Sequence, residues 1–296
     1  MSYTNKSFEE LDVIDDFLIN AIATDEEVGV PFCRRLLSVL LQKEIGEIRV
    51  IAQRTLPAPM PGLRGIRMDV EIEESFPNSS IPVANVYDLE PHLQKNMHIP
   101  KHNRFYQAKI DSRYLKSGET DFSKLPNLYV ITITNFDPFG HDYMMYTIKN
   151  QCVELPELEY NDGLRFYYFN TNGTKGGSKE IKVMLQYIQD SKESNATDDA
   201  TKEVHDYVSK VKVSPEVKFE YMKFDELMAY AELDGKRKER ICSILELLDN
   251  KGTITPELQQ RIQSEENMDI LKSWFKLAAK VDSISEFINK IEYITN

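Results

Sequence analysis

The chain has 296 residues, of which 41% are hydrophobic and 28% charged, enough for one large globular domain or two. Its net charge of −12 argues against a generally basic nucleic-acid binder, and no run approaches the roughly 18 apolar residues that a membrane helix needs. Three scattered cysteines (Cys33, Cys152, Cys242) suggest neither a disulfide framework nor a zinc site, and with no apolar leader at the N-terminus the expected location is cytoplasmic.

In chain order, Leu11, Ile14, Leu18 and Ile22 recur at spacings of three and four, which predicts a helix over 8–23 with the acid pair Asp15-Asp16 on its surface. A second helix starts near Thr24 or Asp25 and carries Phe32, Leu36, Leu37, Leu40 and Leu41 on its apolar face. Residues 48–53 form a first strand, and Pro57, Pro59, Pro61 and Gly62 break the chain after it.

Two further strands carry the chemistry. In residues 65–72, Ile66, Met68, Val70 and Ile72 alternate with Arg67, Asp69 and Glu71, so Asp69 and Glu71 share a face. In residues 83–90, Asp88 and Glu90 are two apart and also share a face. The turn formers of 75–80 join them, and an antiparallel hairpin would bring Asp69 beside Asp88 and Glu90. Carboxylates gathered on one face repel each other, and a hard divalent cation with oxygen ligands, Mg²⁺ or Mn²⁺, would relieve that repulsion. Pro91 is expected to end the second strand, since proline cannot donate to a sheet ladder.

The segment from His92 to Lys116 carries six basic residues and one acid. A helix from Lys101 or Asn103 to Leu115 would place Lys101, Arg104 and Lys109, with Lys95 just before it, beside the acidic strands, where they could hold a phosphate backbone. A solvated helix face explains the same charges equally well. His98 and His102 have helical metal spacing, but Pro100 between them argues against a zinc site. Residues 128–134 read as a buried central strand, with further strands at 144–149 and 165–170. The Gly-rich stretch 171–178 lacks the ending of a phosphate loop, and Ser178 is expected to cap the helix that follows. Residues 191–199 read as a polar loop. From about Pro215 onward only helical periodicity appears, with apolar stripes at Ile241, Ile244, Leu245, Leu247, Leu248 and at Leu271, Trp274, Phe275, Leu277, Ala278. The expected organisation is a domain over 1–190, a polar linker or helix over 191–214, and a helical region over 215–296.

Asp69 followed by Asp88-x-Glu90 resembles the acid, then acid-x-Lys, signature of the PD-(D/E)XK nucleases. With Asp15-Asp16-Phe17, Gly65-Ile66-Arg67-Met68-Asp69-Val70, Tyr87-Asp88-Leu89-Glu90-Pro91, Arg104-Phe105-Tyr106-Gln107-Ala108, Lys116-Ser117-Gly118 and Phe136-Asp137-Pro138-Phe139-Gly140, the chain resembles the Rpn-type family of recombination-promoting nucleases and transposase-like proteins over most of residues 8–175. The resemblance implies an α/β fold of the restriction-endonuclease-like kind, a mixed sheet flanked by helices, and the element order α-β-β-β-α-β fits it. It implies a Mg²⁺- or Mn²⁺-dependent DNA endonuclease, with Asp69, Asp88 and Glu90 as metal ligands and catalytic groups and Gln107 as a helper on the following helix. A first-helix acid at Asp15-Asp16 assists the metal in some relatives.

Glu90 stands where relatives carry lysine, so it would add a ligand or a general base but no positive charge. That departure supports a rival reading, a catalytically silent nuclease fold that binds DNA or protein. The transposase label rests on the resemblance alone, because no separate integrase-type acidic triad is visible. Self-association through the C-terminal helices is a third expectation.

Overall fold

The computed structural model describes residues 6–52, 55–56, 66–67, 69–77, 82–93, 95, 98–115 and 117–294. The expected break at 57–62, the turn residues 78–80, Met68 and Lys116 lie outside them. Two compact units emerge, residues 1–221 and 222–296.

In the first unit, helices α1 (Asp16–Thr24) and α2 (Gly29–Leu41) precede strand β1 (Glu47–Ala52). A short ribbon of β2 (Thr55–Leu56) and β3 (Ile66–Arg67) leads into β4 (Val70–Ser75), then β5 (Asn85–His92) and helix α3 (Ile99–Tyr114). Strands β6 (Asn127–Thr134), β7 (Met145–Ile148) and β8 (Leu164–Asn170) follow, then helices α4 (Lys179–Gln189) and α5 (Asp199–Lys212). Helix α6 (Pro215–Asp249) runs from the end of this unit into the second, where α7 (Pro256–Gln263), α8 (Met268–Lys280) and α9 (Ile284–Ile294) complete the chain. No helix among the described residues is long and apolar enough to cross a membrane.

The six-stranded sheet has the order β1-β4-β5-β6-β8-β7. The β1–β4, β4–β5 and β7–β8 pairs are antiparallel, and β5–β6–β8 run parallel. The protein is thus an α/β fold with a mixed sheet. Because successive side chains alternate across a strand, the register sorts the sheet into two faces. Val70, Ile72, Tyr87, Leu89, Ile131, Ile133 and Phe169 join the apolar faces of α1, α2, α4 and α5 in the main core. On the opposite face Val86, Leu128 and Val130 pack with Tyr106 and Ile110 of α3, which crosses over between the parallel neighbours β5 and β6.

Several expectations change. The helix expected over 8–23 is broken: a short 3₁₀ turn at Phe8–Glu10 comes first and α1 starts only at Asp16. Asp15 stands at the N-cap position without a side-chain bond to the first turn and is 4% exposed, so it is no surface acid. Its Oδ2 accepts the Asp12 backbone N–H at 2.7 Å and Lys6 Nζ at 2.7 Å, a local network that competes with helical pairing. Pro91 does not end β5, which runs on to His92 beside β6. Among the described residues the β4 ladder stops at Leu89, while β6 pairs Pro91 with Ile133. Helix α3 begins at Ile99, with Pro100 in its first turn. Residues 191–214 are built into the first unit: Ser191 Oγ accepts the N–H of Val13 at 2.8 Å, and Val204, Val208 and Val211 of α5 enter the main core. Ser178 caps α4 as expected, accepting the N–H of Ile181.

In the second unit, the two predicted stripes meet. Ile241, Ile244 and Leu248 of α6 bury Leu271, Trp274 and Ala278 of α8, with Phe287 and Ile291 of α9 closing the cluster.

Candidate functional site

The hairpin of β4 and β5 forms as the alternation predicts, and its register decides which acids meet. Glu71 lies opposite Asp88 and Val70 opposite Leu89, so Asp69, just before β4, falls beside Glu90. The backbone N–H of Asp69 donates to Glu90 Oε1 at 3.1 Å. Asp69, Glu71, Asp88 and Glu90 therefore share the sheet face that α3 covers.

One pair deeper, Glu71 is fully buried and held by Arg113 of α3, whose Nη1 and Nη2 reach its two oxygens at 2.7 and 2.8 Å. Asp88 beside it is equally buried. Burial drives the Asp88 carboxyl well above its usual range, and the charges of Glu71 and Asp69 push it further. Glu90, 4% exposed, is raised for the same reason, by burial first and then by Asp88 and Asp69. Asp16 in the first turn of α1 reaches solvent, yet enough protein surrounds it that lost hydration, with Asp15 beside it, moves its carboxyl up to about 6. Its charge also bears on Glu90, so a first-helix acid does stand near the cluster.

The other end of the site is made of His92, which the sequence did not single out, and His102, which it paired with His98 and set aside because of Pro100. His92 follows Glu90 by two residues on the same face of β5, and His102 comes down from α3. Ligand atoms of Glu90, His92 and His102 all lie within 4.8 Å of one another. The two rings meet edge to face at 5.3 Å, and the Tyr106 ring lies 4.0 Å beyond His102. Burial, then His102, brings the His92 imidazole down to about 4, so it is neutral at physiological pH. Period-two spacing from Glu90 was the available signal, hidden by the expectation that the strand stopped at Pro91.

The remaining expected residues disperse. Gln107 turns to its own helix and donates to Asp111 Oδ2, rather than joining the acids. Lys95, Lys101 and Arg104 are exposed, while Lys109 lies over the Phe105 ring at 5.5 Å. Of the basic residues from 92 to 115, Arg113 is the one spent on the acidic face.

A divalent cation fits this end of the site on two grounds. Asp69 and Glu90 supply carboxylates whose mutual repulsion a cation would relieve, and His92 Nε2 is a buried ring nitrogen with no hydrogen-bond partner. Fold and site together define an α/β protein with an acid- and imidazole-lined centre on one face of a mixed sheet. Compared with models of protein families, with curated proteins and with solved structures, the chain matches none.

Proposed function

We propose that this chain is a metal-dependent DNA endonuclease with a PD-(D/E)XK-type core of the Rpn kind. The observation that carries the reading is Asp69 standing against Glu90 across the β4–β5 hairpin. The element order, one helix pair, three antiparallel strands, a crossover helix and a parallel strand, supports it. The strand acid that faces Asp69 is Glu90, so on this reading the acid-x-Lys unit would be Glu90-Pro91-His92 instead of Asp88-Leu89-Glu90. Asp88 then belongs to the buried support beneath the site, alongside Glu71 and Arg113.

Asp69 and Glu90 would hold the cation. Such an ion, when bound, polarises a scissile phosphate and lowers the pKa of a water on it. The protein's own groups do the rest. The Asp69 N–H fixes one Glu90 oxygen. His92, neutral and in the lysine position, can orient a water or accept its proton, though it cannot supply lysine's fixed charge. Exposed Lys95, Lys101 and Arg104 offer the phosphate contacts that the acidic chain otherwise lacks.

The missing lysine supports the second reading, a nuclease fold kept for binding alone. Nicking of supercoiled plasmid DNA by the intact chain with Mn²⁺ or Mg²⁺ tests the first. A rise in melting temperature with Mn²⁺ that Asp69→Ala abolishes, without nicking, leaves the second. Self-association is a separate proposal, supported by Phe224, Leu227, Tyr230 and Leu233, exposed at steps of three along α6, and tested by light scattering.

A further inference from the structure

We propose that Glu90, His92 and His102 form a three-ligand site for a borderline divalent transition ion of the Zn²⁺ and Co²⁺ class, with Mg²⁺ a poor occupant. The proposal takes from the nuclease reading only the position of Glu90.

The donor set comes first. Two imidazoles and one carboxylate within 4.8 Å of one another suit Zn²⁺, Co²⁺ or Fe²⁺, whereas Mg²⁺ prefers oxygen ligands and keeps its waters. The spacing does not arise from one motif. His92 is fixed by the strand period and His102 by the packing of α3 over the sheet, so two elements converge on one point.

The unmet nitrogen comes second. His92 Nε2 is shielded from solvent and has no hydrogen-bond partner, a costly state for a polar atom.

The support beneath His102 comes third. Asn103 Nδ2 donates to Thr132 Oγ1 at 2.8 Å, which turns the amide oxygen toward His102 Nδ1 at 3.3 Å. An amide oxygen can only accept, so this network assigns the proton to Nδ1 and the lone pair to Nε2. Asn103 is 1% exposed and Thr132 fully buried, so the orientation is built into the core. A ligand histidine oriented through its other nitrogen is the usual arrangement in metal sites.

The test is a Co²⁺ titration of the full chain, read as a visible d–d absorption band, with Zn²⁺ and Mg²⁺ as competitors. The expected result is a saturable band, displaced by Zn²⁺ and not by excess Mg²⁺. His92→Gln and His102→Gln should each weaken Co²⁺ binding by on the order of tenfold to a hundredfold or more. His98→Gln, on the same helix but outside the set, should leave it unchanged. Far-UV circular dichroism checks folding; if His92→Gln fails to fold, loss of the Zn²⁺-induced rise in melting temperature in His102→Gln serves in its place. No band, or a band unaltered by both histidine changes, overturns the proposal. Nicking supported by Mg²⁺ with no histidine-dependent Co²⁺ band overturns it while sparing the nuclease reading. A histidine-dependent band without nicking does the reverse.

Discussion

Asp69 donates its backbone N–H to Glu90 Oε1, at 3.1 Å, and so ties the residue just before β4 to the sixth residue of β5. Around that bond, burial has gathered acids that would each hold a proton more tightly than in water. Asp88 is the clearest, with an ordinary value of 3.8 raised well above it by burial and by Glu71 and Asp69. The folded chain therefore binds more protons than the unfolded one at pH values above 3.8. Stability from this group is complete below that pH and is lost as pH rises toward the folded pKa. Metal-free wild-type protein should lose stability from pH 4 toward neutrality, and Asp88→Asn should flatten that slope. Urea unfolding across the pH range checks it, and an unchanged slope would count against the assignment.

A second outcome concerns Arg113 and Glu71. Arg113→Leu strands a fully buried carboxylate beside Asp88, and breaking such a pair costs about 3–5 kcal/mol. The Arg113 side chain is 22% exposed, which places the expected loss near the lower end of that range. Adding Glu71→Leu removes the stranded charge and should recover most of the loss. Urea unfolding of both variants distinguishes this from simple loss of packing, which the double variant would worsen.

The helical unit offers its own reporter. Trp274 is the chain's single tryptophan and is 1% exposed within the cluster of α6, α8 and α9. A fragment of residues 222–296 should fold alone, with blue-shifted emission that moves red on heating in one transition. Leu271→Ala, at a fully buried position, should cost about 2–5 kcal/mol. Red emission from the fragment at low temperature would show that this cluster does not form by itself.

How far the sequence reached is clearest around the hairpin. Period-two alternation was enough to place Asp69, Asp88 and Glu90 on one face, because side-chain direction in a strand follows from spacing alone. The register was out of reach. It depends on the turn between β4 and β5 and on the burial of Ile72 and Tyr87 on the opposite face, and a shift of two residues exchanges Asp88 for Glu90 as the partner of Asp69 without moving an apolar side chain outward. Pro91 hid His92, because whether a strand runs on through a proline depends on its neighbouring ladders, and that is a property of the assembled sheet. The role of Arg113 was invisible for the same reason: its partner Glu71 is 42 residues away in the chain. The stripes of α6 and α8 were legible throughout, since each helix carries its own apolar period.

The measurement that bears most directly on the central claim is plasmid nicking with Mn²⁺, run in parallel on the intact chain, Glu90→Gln and Asp88→Asn. With Glu90 facing Asp69 at the cation and Asp88 in the support below, Glu90→Gln should cut the rate by roughly a hundredfold or more, and Asp88→Asn should cost much less. Full activity in Glu90→Gln, or a loss confined to Asp88→Asn, would contradict the account.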